Sequence, residues 1–377
     1  MMKKKIAIIS AKDEQEPLVL KAKEMGIETH CFAWDKKEED TYCKKIADYF
    51  HPISILDKEK ILEKCKELKI DGVTTILNDY AIPTIAYVTQ NMGLPGNCYD
   101  DMQIALNKYK ARQAYLKNGV NSPRFAIANG EQIPDLNGFK YPLIVKPTDR
   151  SSSLGVKKVE KKEDLQDAIK RAQEISYSNE AIIEEYISGV EVCVLSISCE
   201  GKHYHLEIQD KITTGSPFYV EVGHRHPAEL SDEMQEKVKS ETSKALSALN
   251  FNFGASDNEL MITESGEVYI IEVNPRMGGD FTHDLVKLST GYDFLQGTIE
   301  VALNQFKTPT FPIRKYAGIY YLSKDTEWVK QIIENKDSDP DIVAAEMSLS
   351  DMCSLQSSFD RCGYFIYQSD SNRKWGP

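Results

Sequence analysis

The first hundred residues alternate short apolar runs with segments whose apolar positions recur at helical spacing. Three apolar runs predict strands, and the amphipathic segments after them predict helices; in chain order they are KIAIIS, EPLVLKAKEMG, IETHCFAW, DKEKILEKCKELK, DGVTTIL and AIPTIAYVTQNMG. Strand–helix alternation of this kind implies a parallel sheet with helices on both faces. We therefore expect an N-terminal doubly wound α/β domain over residues 1–100.

Dinucleotide-binding domains share this alternation and carry a glycine-rich phosphate loop after the first strand. Here the first strand is followed by SAKDEQ, which contains no GxGxxG. An NAD-linked oxidoreductase is therefore disfavoured. A sheet used as a scaffold, or for substrate binding, is the better interpretation.

The pattern changes after residue 100. A helix that ends at Gly119 precedes the apolar strand YPLIVKP, a loop of small residues (TDRSSSLG) and further strands. A long amphipathic helix follows, with Ser231 as its predicted N-cap. From about Asn304 a proline-spaced connector leads into GIYYLS and CGYFIYQ, which predict a small C-terminal β-containing module over residues 305–377.

Composition narrows the choice of partners. The chain has 377 residues, a formal net charge of −12 and eight cysteines without a CxxC pair. An acidic chain without a basic stripe disfavours nucleic acid and anionic membranes, although a small anionic substrate can still bind at a local basic site. The cysteine pattern is typical of reduced thiols, and neither a signal peptide nor a membrane span is predicted. We therefore expect a cytoplasmic location.

A candidate metal site lies in ASDNELMITESGEVYIIEVN. Ser265-Gly266, between two apolar runs, predicts a hairpin with a two-residue turn. This register pairs Glu264 with Glu267 and Met261 with Ile270. On the face of Met261 and Ile270 it then places two polar pairs: Glu259 opposite Glu272, and Asp257 opposite Asn274. At a separation of roughly 5 Å the two carboxylates of Glu259 and Glu272 would repel by about 3 kcal/mol.

A divalent cation between these carboxylates reverses the sign of the interaction. Two carboxylates and the Asn274 amide oxygen are hard ligands that suit Mg²⁺. The alternative is that one glutamate pairs with a nearby lysine or arginine, with Arg276 as the first candidate. The register is the sensitive point, because a three-residue turn would put the two glutamates on opposite faces.

Two lysines and a loop are candidate phosphate ligands. Lys146 ends the apolar strand YPLIV, and Lys108 begins its helix. The small residues of DRSSSLG allow backbone amides to approach an anion closely, and its serines add hydroxyl donors. Each signal also has an ordinary explanation, a solvated lysine or a flexible loop. Their order along the chain is what makes them informative.

Five segments in this order resemble the ATP-grasp superfamily, and specifically its carboxylate–amine (amino-acid) ligase branch. They are NKYKARQAYLKNGVNSP, YPLIVKPTDRSSSLGV, IIEEYISGVEV, the Glu259 segment and IIEVNPRMGG. The resemblance implies a two-lobed α+β ATP-grasp domain over residues 101–304, with lobes of about 101–183 and 184–304. It also implies an ATP-dependent ligase that uses Mg²⁺, with Mn²⁺ as an alternative ion.

The resemblance assigns nucleotide roles to matching positions. Lys108 and Lys146 look like the lysines that hold the α- and β-phosphates. Four residues resemble the mobile loop that closes over the phosphates, although family members are often richer in glycine there: Ser151, Ser152, Ser153 and Gly155. Four residues match the hinge, where backbone groups contact adenine: Glu184, Glu185, Tyr186 and Ile187. Glu191 resembles the carboxylate that holds the ribose hydroxyls.

The remaining assignments concern the metal and the substrates. Glu259, Glu272 and Asn274 match the metal ligands, and Arg276 resembles the arginine that steadies the transferred phosphoryl group or the substrate carboxylate. The segment FYVEVGHRHPA resembles an acceptor-site segment, in which Glu221 and His224 would contact substrate. A zinc site at His224 and His226 is disfavoured, because no third ligand with suitable spacing is near. Arg361 could contact substrate, but exposure to solvent or a local salt bridge is the better interpretation.

The implied chemistry is transfer of the γ-phosphate of ATP to a small carboxylic acid, followed by attack of an amine on the acyl phosphate. Positioning and charge stabilisation by Lys146, Arg276 and the metal suffice for this, so no protein nucleophile is needed. The alternatives within the superfamily are a purine-biosynthesis type of ligase and a bicarbonate-activating enzyme. An alternative of another class is a nucleotide-binding regulatory protein without catalytic activity. For any of these functions, the protein could form a homodimer.

Overall fold

A computed structural model describes residues 3–34, 42–151, 154–216, 218–348 and 352–376. The N-terminal sheet is parallel, with the order β3-β2-β1-β4: β1 Lys5–Ile9, β2 Glu28–Phe32, β3 Tyr49–His51 and β4 Gly72–Thr74. The helices are α1 Glu16–Glu24, α2 Tyr42–Ile46, α3 Lys58–Leu68 and α4 Ile82–Met92. Alternate residues of β1 enter different cores, Ile6 and Ile8 in one and Ala7 and Ile9 in the other. The predicted doubly wound arrangement is confirmed.

A second sheet of four antiparallel strands follows, with the order β5-β8-β6-β7. Its strands are β5 Phe125–Ala128, β6 Leu143–Pro147, β7 Lys157–Val159 and β8 Ala181–Glu185. Two helices precede it, α5 Tyr99–Ala105 and α6 Lys108–Lys117, and α7 Leu165–Ile175 packs on one face through Leu165, Ile169 and Ala172. We call this sheet with α7 the small lobe.

The third sheet has eight antiparallel strands in the order β13-β12-β9-β10-β11-β14-β16-β15. The strands are β9 Val190–Cys199, β10 Lys202–Thr213, β11 Glu221–His226, β12 Gly254–Ile262, β13 Val268–Asn274, β14 Tyr316–Leu322, β15 Ile342–Met347 and β16 Gly363–Ser369. The helices are α8 Asp232–Ala248, α9 Thr282–Thr290, α10 Phe294–Ala302 and α11 Trp328–Glu334. The C-terminal strands thus continue this large sheet instead of forming one of their own.

The hairpin of β12 and β13 differs from the prediction at its turn. Ile262 pairs with Val268, and Thr263 bonds Glu267 and Gly266 through backbone groups, so the loop has three residues, not two. A β-bulge then places Ile271 as an extra residue between the pairs Leu260–Ile270 and Glu259–Glu272. The predicted pairing of Met261 with Ile270 is therefore wrong, whereas Glu259–Glu272 and Asp257–Asn274 pair as predicted. The bulge restores the register that the longer loop would have shifted.

The parallel sheet approaches the large sheet's helices closely at Gly72. A Cβ at this position would collide with the carbonyl group of Ala302 at the end of α10. The contact brings the carboxyl end of β4 close to the end of β13, where Leu77 donates its backbone N–H to the carbonyl of Met277. Among the described residues, none of the helices is both long enough and apolar enough to cross a membrane. All eight cysteines are free thiols.

Candidate nucleotide and ligation site

One face of the large sheet carries a row of polar side chains across four strands. Antiparallel pairing places Glu272 of β13 beside Glu259 of β12, Glu259 beside Cys193 of β9, and Cys193 beside Gln209 of β10. Residues two apart on a strand share a face, so Lys211 of β10 lies on this face as well. Strand pairing alone therefore concentrates charged groups on one surface of the sheet.

Lysines, not Arg276, meet the two opposed carboxylates. The Nζ of Lys108 lies 2.9 Å from Oε1 of Glu272, and the Nζ of Lys211 lies 3.4 Å from Oε1 of Glu259. Burial raises the pKa of Glu259 to about 7, and the cation of Lys211 only partly offsets it. Burial would also raise the pKa of Glu272, but Lys108 and Lys146 outweigh it and lower that pKa to about 2. The two carboxylates therefore differ in how fully their charge is balanced.

The donor set of this pair suits a divalent cation. Glu259 and Glu272 are direct register partners, and Asn274 follows Glu272 on the same face. Within the described ranges no three histidine, cysteine or acidic side chains converge as a metal cluster. The protein thus offers two carboxylates and an amide oxygen, which is the incomplete set that Mg²⁺ completes with water and phosphate oxygens. Next to it, Oδ1 of Asp257 is buried without a hydrogen-bond partner.

Lys211 contacts three carboxylates on this face, and no local sequence pattern had selected it. Its Nζ lies 2.8 Å from Glu191 and 3.3 Å from Glu221, in addition to Glu259. These carboxylates raise the pKa of the lysine well above its ordinary value, although burial alone would lower it. Lys211 therefore connects the predicted ribose, metal and acceptor carboxylates. With the strand order known, Lys211 could have been predicted, because it lies two residues after Gln209 on β10 and so shares its face of the sheet.

The small lobe contributes a second charged cluster. Oε2 of Glu184 lies 2.8 Å from Nζ of Lys146, and its Oε1 accepts from Nε of Arg112 at 2.7 Å. Arg112 also donates to the carbonyl of Ile271, the extra residue of the bulge, at 2.6 Å. Arg112 was not predicted, but it lies one helical turn after Lys108 on α6, so both reach the same region.

The predicted phosphate loop is anchored at its beginning. Nζ of Lys108 donates to the carbonyl of Arg150 at 2.5 Å, and the backbone of Ser151 accepts from the N–H of Leu154. Gly155 has a φ of +78°, which favours glycine. The predicted loop residues Ser152 and Ser153 lie outside the described residues.

The predicted hinge residues join the small lobe to the large sheet. Glu184 and Glu185 end β8, and Tyr186 and Ile187 lead towards β9. The carboxylate of Glu185 accepts an exposed hydrogen bond from the backbone N–H of Lys140. The backbone N–H of Tyr186 donates to the carbonyl of Pro142. The segment therefore lies where the two sheets meet.

The other end of the polar face holds the predicted acceptor residues. Nε2 of His224 lies 3.0 Å from Oδ2 of Asp280, and Arg361 donates to both oxygens of Asp280 at 2.7 and 3.1 Å. Arg361 also donates to the backbone carbonyl of Glu221. The salt bridge of Arg361 is part-buried, and its guanidinium lies 3.9 Å from the ring centroid of Tyr321. Burial would raise the pKa of Asp280, but hydrogen bonds from His224 and Arg361, together with the charge of Arg361, hold it well below its usual range.

Arg276 is held by a residue of the N-terminal sheet. Its Nε donates to Oδ1 of Asp79 at 2.9 Å, and its Nη1 is 3.8 Å from Oδ2 of Asp257. Asp79 follows β4, so the carboxyl edge of the parallel sheet faces the large sheet at this point. Ligands of open parallel sheets bind at that edge. Asp79 and Asp280 were both missed, since their roles depend on contacts between distant segments.

Comparisons with known proteins find an ATP-grasp domain model and several ligases that are similar to this chain. A family model described as an ATP-grasp domain matches residues 139–284. The chain is 26% identical over 306 residues to an alanine–anticapsin ligase of Bacillus amyloliquefaciens, covering 70% of this chain and 63% of that protein. It is 29% identical over 209 residues to a D-alanine–D-alanine ligase of Geobacter sulfurreducens, covering 52% and 63%. The chain thus spans a little under two thirds of the length of these relatives.

A solved structure of similar shape is an L-amino acid ligase from Bacillus licheniformis. It has a TM-score of 0.81 and 24% sequence identity, and the match covers 98% of this chain and 94% of that one. At this identity the likeness concerns the fold, which includes all three sheets. The family model spans the small lobe from residue 139 and the strands that carry Glu259, Glu272 and Asn274, so residues 139–284 are similar to an ATP-grasp domain, and the chain has relatives among the carboxylate–amine ligases.

Proposed function

We propose that the protein is an ATP-dependent ligase that joins a small carboxylic acid, such as an amino acid, to an amine. The observation that carries the proposal is the opposed pair of Glu259 and Glu272, placed between a lysine cluster and the Asp280–Arg361 pair. One side of the pair suits phosphates, and the other suits a polar substrate. The names of the relatives, amino-acid and peptide ligases, support the same reaction class.

ATP would lie between the small lobe and the large sheet. Lys108 and Lys146 supply positive charge for its phosphates, and Glu184 holds Lys146 in place at 2.8 Å. Tyr186 and Ile187 offer backbone groups to the adenine edge, and Glu191 a carboxylate to the ribose hydroxyls. Ser151 and Gly155 lie at the two ends of the loop that would cover the phosphates.

Glu259, Glu272 and Asn274 would hold Mg²⁺, which when bound screens the phosphate charges and polarises the transferred group. The two carboxylates of Glu259 and Glu272 repel each other across the hairpin. Lys108 and Lys211 offset this repulsion, because each places a positive charge beside one carboxylate. Arg276, held by Asp79, supplies a further fixed positive charge for the transferred phosphoryl group or the substrate carboxylate.

The reaction has two steps. An oxygen of the substrate carboxylate attacks the γ-phosphorus, the bond to the β-phosphate oxygen breaks, and ADP leaves. The amine then attacks the carbonyl carbon of the acyl phosphate, loses a proton and expels phosphate, so that an amide bond forms. Fixed charges at Lys146 and Arg276 stabilise the charge that develops, which is the main requirement of phosphoryl transfer.

The test is a screen for ADP and phosphate release from ATP with Mg²⁺ over pairs of amino acids and small acids. Release that requires both an acid and an amine, with a product of the summed mass less water, is the expected result. Release that is indifferent to both would contradict the proposal and favour a nucleotide-binding regulator. Acid-dependent release without amide product would point instead to an acyl phosphate used by another acceptor.

A further inference from the structure

A continuous series of hydrogen bonds runs under the acceptor end of the polar face. Nε2 of His226 lies 2.8 Å from Oε1 of Gln209, and Nε2 of Gln209 lies 3.1 Å from Nδ1 of His224. Nε2 of His224 then meets Asp280 at 3.0 Å, and Ser289 lies 3.3 Å from Nδ1 of His226 at the far end. The series therefore connects a fully buried histidine to Asp280.

The proton positions follow from Asp280 outward. Asp280 binds Arg361 with both oxygens and can only accept, so Nε2 of His224 carries a proton. In a neutral imidazole Nδ1 then accepts, and the amide nitrogen of Gln209 is the donor that faces it. The amide oxygen of Gln209 therefore faces His226, whose Nε2 must carry the proton. A single amide thus sets the tautomer of two imidazoles.

Asp280 has the most exposed side chain of this series. Its side chain is 29% exposed, whereas that of His224 is 6% exposed and Gln209 and His226 are buried. Asp280 and Phe281 have φ values of +55° and +58°, a left-handed conformation that is unfavourable for residues with a side chain. Such a backbone persists only when its surroundings hold it, and His224 and Arg361 are the groups that do so here.

Charged groups of both signs face His224. Lys211 of β10 is its register partner, Arg361 approaches from the C-terminal region, and the anions are Asp280, Glu221 on the same strand and Asp257 on β12. The other imidazole near it is that of His226. Because cations and anions both surround the ring, its hydrogen-bond partners decide its proton count. Gln209 supplies a donor where an imidazolium would need an acceptor.

We propose that Gln209 and His226 are positioning residues that fix His224 as a neutral imidazole with its proton on Nε2, so that Asp280 is held as an oriented carboxylate at the acceptor pocket. Its catalytic consequence rests on the proposed ligase function. In this arrangement His224 has no free nitrogen with which to take the proton of the attacking amine. Asp280 is the group that accepts a hydrogen bond from an N–H of the substrate.

Nitrogen NMR of the full-length protein labelled with ¹⁵N-histidine tests the proton positions directly. The signal of His224, identified by its loss in His224→Asn, is expected to show a protonated Nε2 and an unprotonated, hydrogen-bonded Nδ1 at pH 7. A His224 signal with the proton on Nδ1, or with protons on both nitrogens, would overturn the proposal. This measurement needs neither a substrate nor a variant of Gln209.

Gln209→Glu tests the cause. Its carboxylate has the same shape but cannot donate, so Nδ1 of His224 is expected to gain a proton and both nitrogens to shift to imidazolium values. Gln166→Glu, the same change on the exposed face of α7, is the matched control and should leave the histidine signals unchanged. An unchanged His224 signal in Gln209→Glu would contradict the proposed role of the amide.

Steady-state kinetics distinguish a positioning role of Gln209 from a purely structural one, which would not affect the amine and the nucleotide differently. Gln209→Glu is expected to raise the KM for the amine by at least tenfold and to shift its pH profile, while the affinity for a non-hydrolysable ATP analogue stays within twofold of the unmodified protein. Equal losses for amine and nucleotide would mean general damage and would overturn the positioning role. Failure of the unmodified protein to form any amide would count against the proposed function, and the NMR result would still decide the tautomer.

Discussion

Glu184 and Glu259 are both buried carboxylates, but their surroundings are opposite. Glu184 has a cation on each oxygen, Arg112 on one and Lys146 on the other. Glu259 has a like-charged register partner and a single lysine at 3.4 Å that it shares with two other carboxylates. The pKa of Glu184 is lowered in spite of burial, whereas burial raises that of Glu259 to about 7. A carboxylate whose partners are complete stabilises the fold, and one whose partners are incomplete can bind a ligand.

The largest expected effect is a loss of ATP turnover on substitution in the opposed pair of Glu259 and Glu272. Glu272→Gln removes one proposed metal ligand and half of the opposed pair, and we expect ATP turnover to fall by about a thousandfold or more, the scale of losing a group that stabilises transferred charge. ADP release measures it, and circular dichroism and thermal unfolding check that the fold persists. Glu267→Gln, in the same hairpin but outside the pair, is the control. Turnover within tenfold of normal would remove Glu272 from the mechanism.

A substitution in the cluster of Glu184, Arg112 and Lys146 should instead lower the stability of the fold. Glu184→Gln leaves Arg112 and Lys146 buried without their anion, and breaking a buried pair in this way typically costs about 3–5 kcal/mol of unfolding free energy. Urea unfolding monitored by fluorescence measures the change. Glu185→Gln, the next residue of β8, whose carboxylate accepts an exposed hydrogen bond, is the control. A loss below about 1 kcal/mol would mean that the cluster is not a structural element.

The raised pKa of Glu259 predicts a pH dependence. Folding raises it from 4.5 to about 7, so the folded chain holds a proton more tightly than the unfolded chain between these values. Its stabilising contribution is complete below about pH 4.5 and is lost as the pH rises through 7, a fall of about 1–3 kcal/mol. Unfolding measured from pH 5 to pH 8 should show this decline, and Glu259→Gln should reduce it.

Glu207 provides the comparison for that experiment. Burial raises its pKa to about 7 as well, but it lies beside Ser289 and away from the opposed pair. In Glu207→Gln the fall of unfolding free energy between pH 5 and pH 8 comes from Glu259, and magnesium with a non-hydrolysable ATP analogue should reduce it. In Glu259→Gln the fall comes from Glu207, and the same ligands should leave it unchanged. The same response in both variants would show that the nucleotide does not act through Glu259.

The smallest effect is expected at the turn that joins the two strands of the pair. Gly266 has a φ of +77°, so Gly266→Ala should cost about 1 kcal/mol of stability by backbone strain, with little change in turnover. Thermal unfolding measures it, and Gly130→Ala, at a position with open space around a Cβ, is the control. A large loss of turnover would mean that the turn, and not the bulge, sets the register.

Local patterns allowed much of this architecture to be predicted. The strand–helix alternation of residues 1–100 and the polar pairs of the hairpin follow from periodicity, and the pairs Glu259–Glu272 and Asp257–Asn274 were predicted in spite of a wrong turn length. Lys211, Asp79 and Asp280 were not predicted, because each acquires its partners through strand order or sheet contacts between distant segments. The addition of β14 to β16 to the large sheet has the same cause, since pairing of β11 with β14 leaves no local signal.

The extra residue at Ile271 brings Glu272, and not Ile271, opposite Glu259. A regular strand that kept Ile271 would pair it with Glu259 and turn Glu272 to the opposite face, whereas deletion of Ile271 would leave Leu260–Ile270 and Glu259–Glu272 as consecutive pairs. The carbonyl that Arg112 uses belongs to that extra residue, so its deletion would keep the opposed pair but change the contact of the small lobe with this strand. Homologues without the extra residue should therefore be searched for a different residue at the position of Arg112.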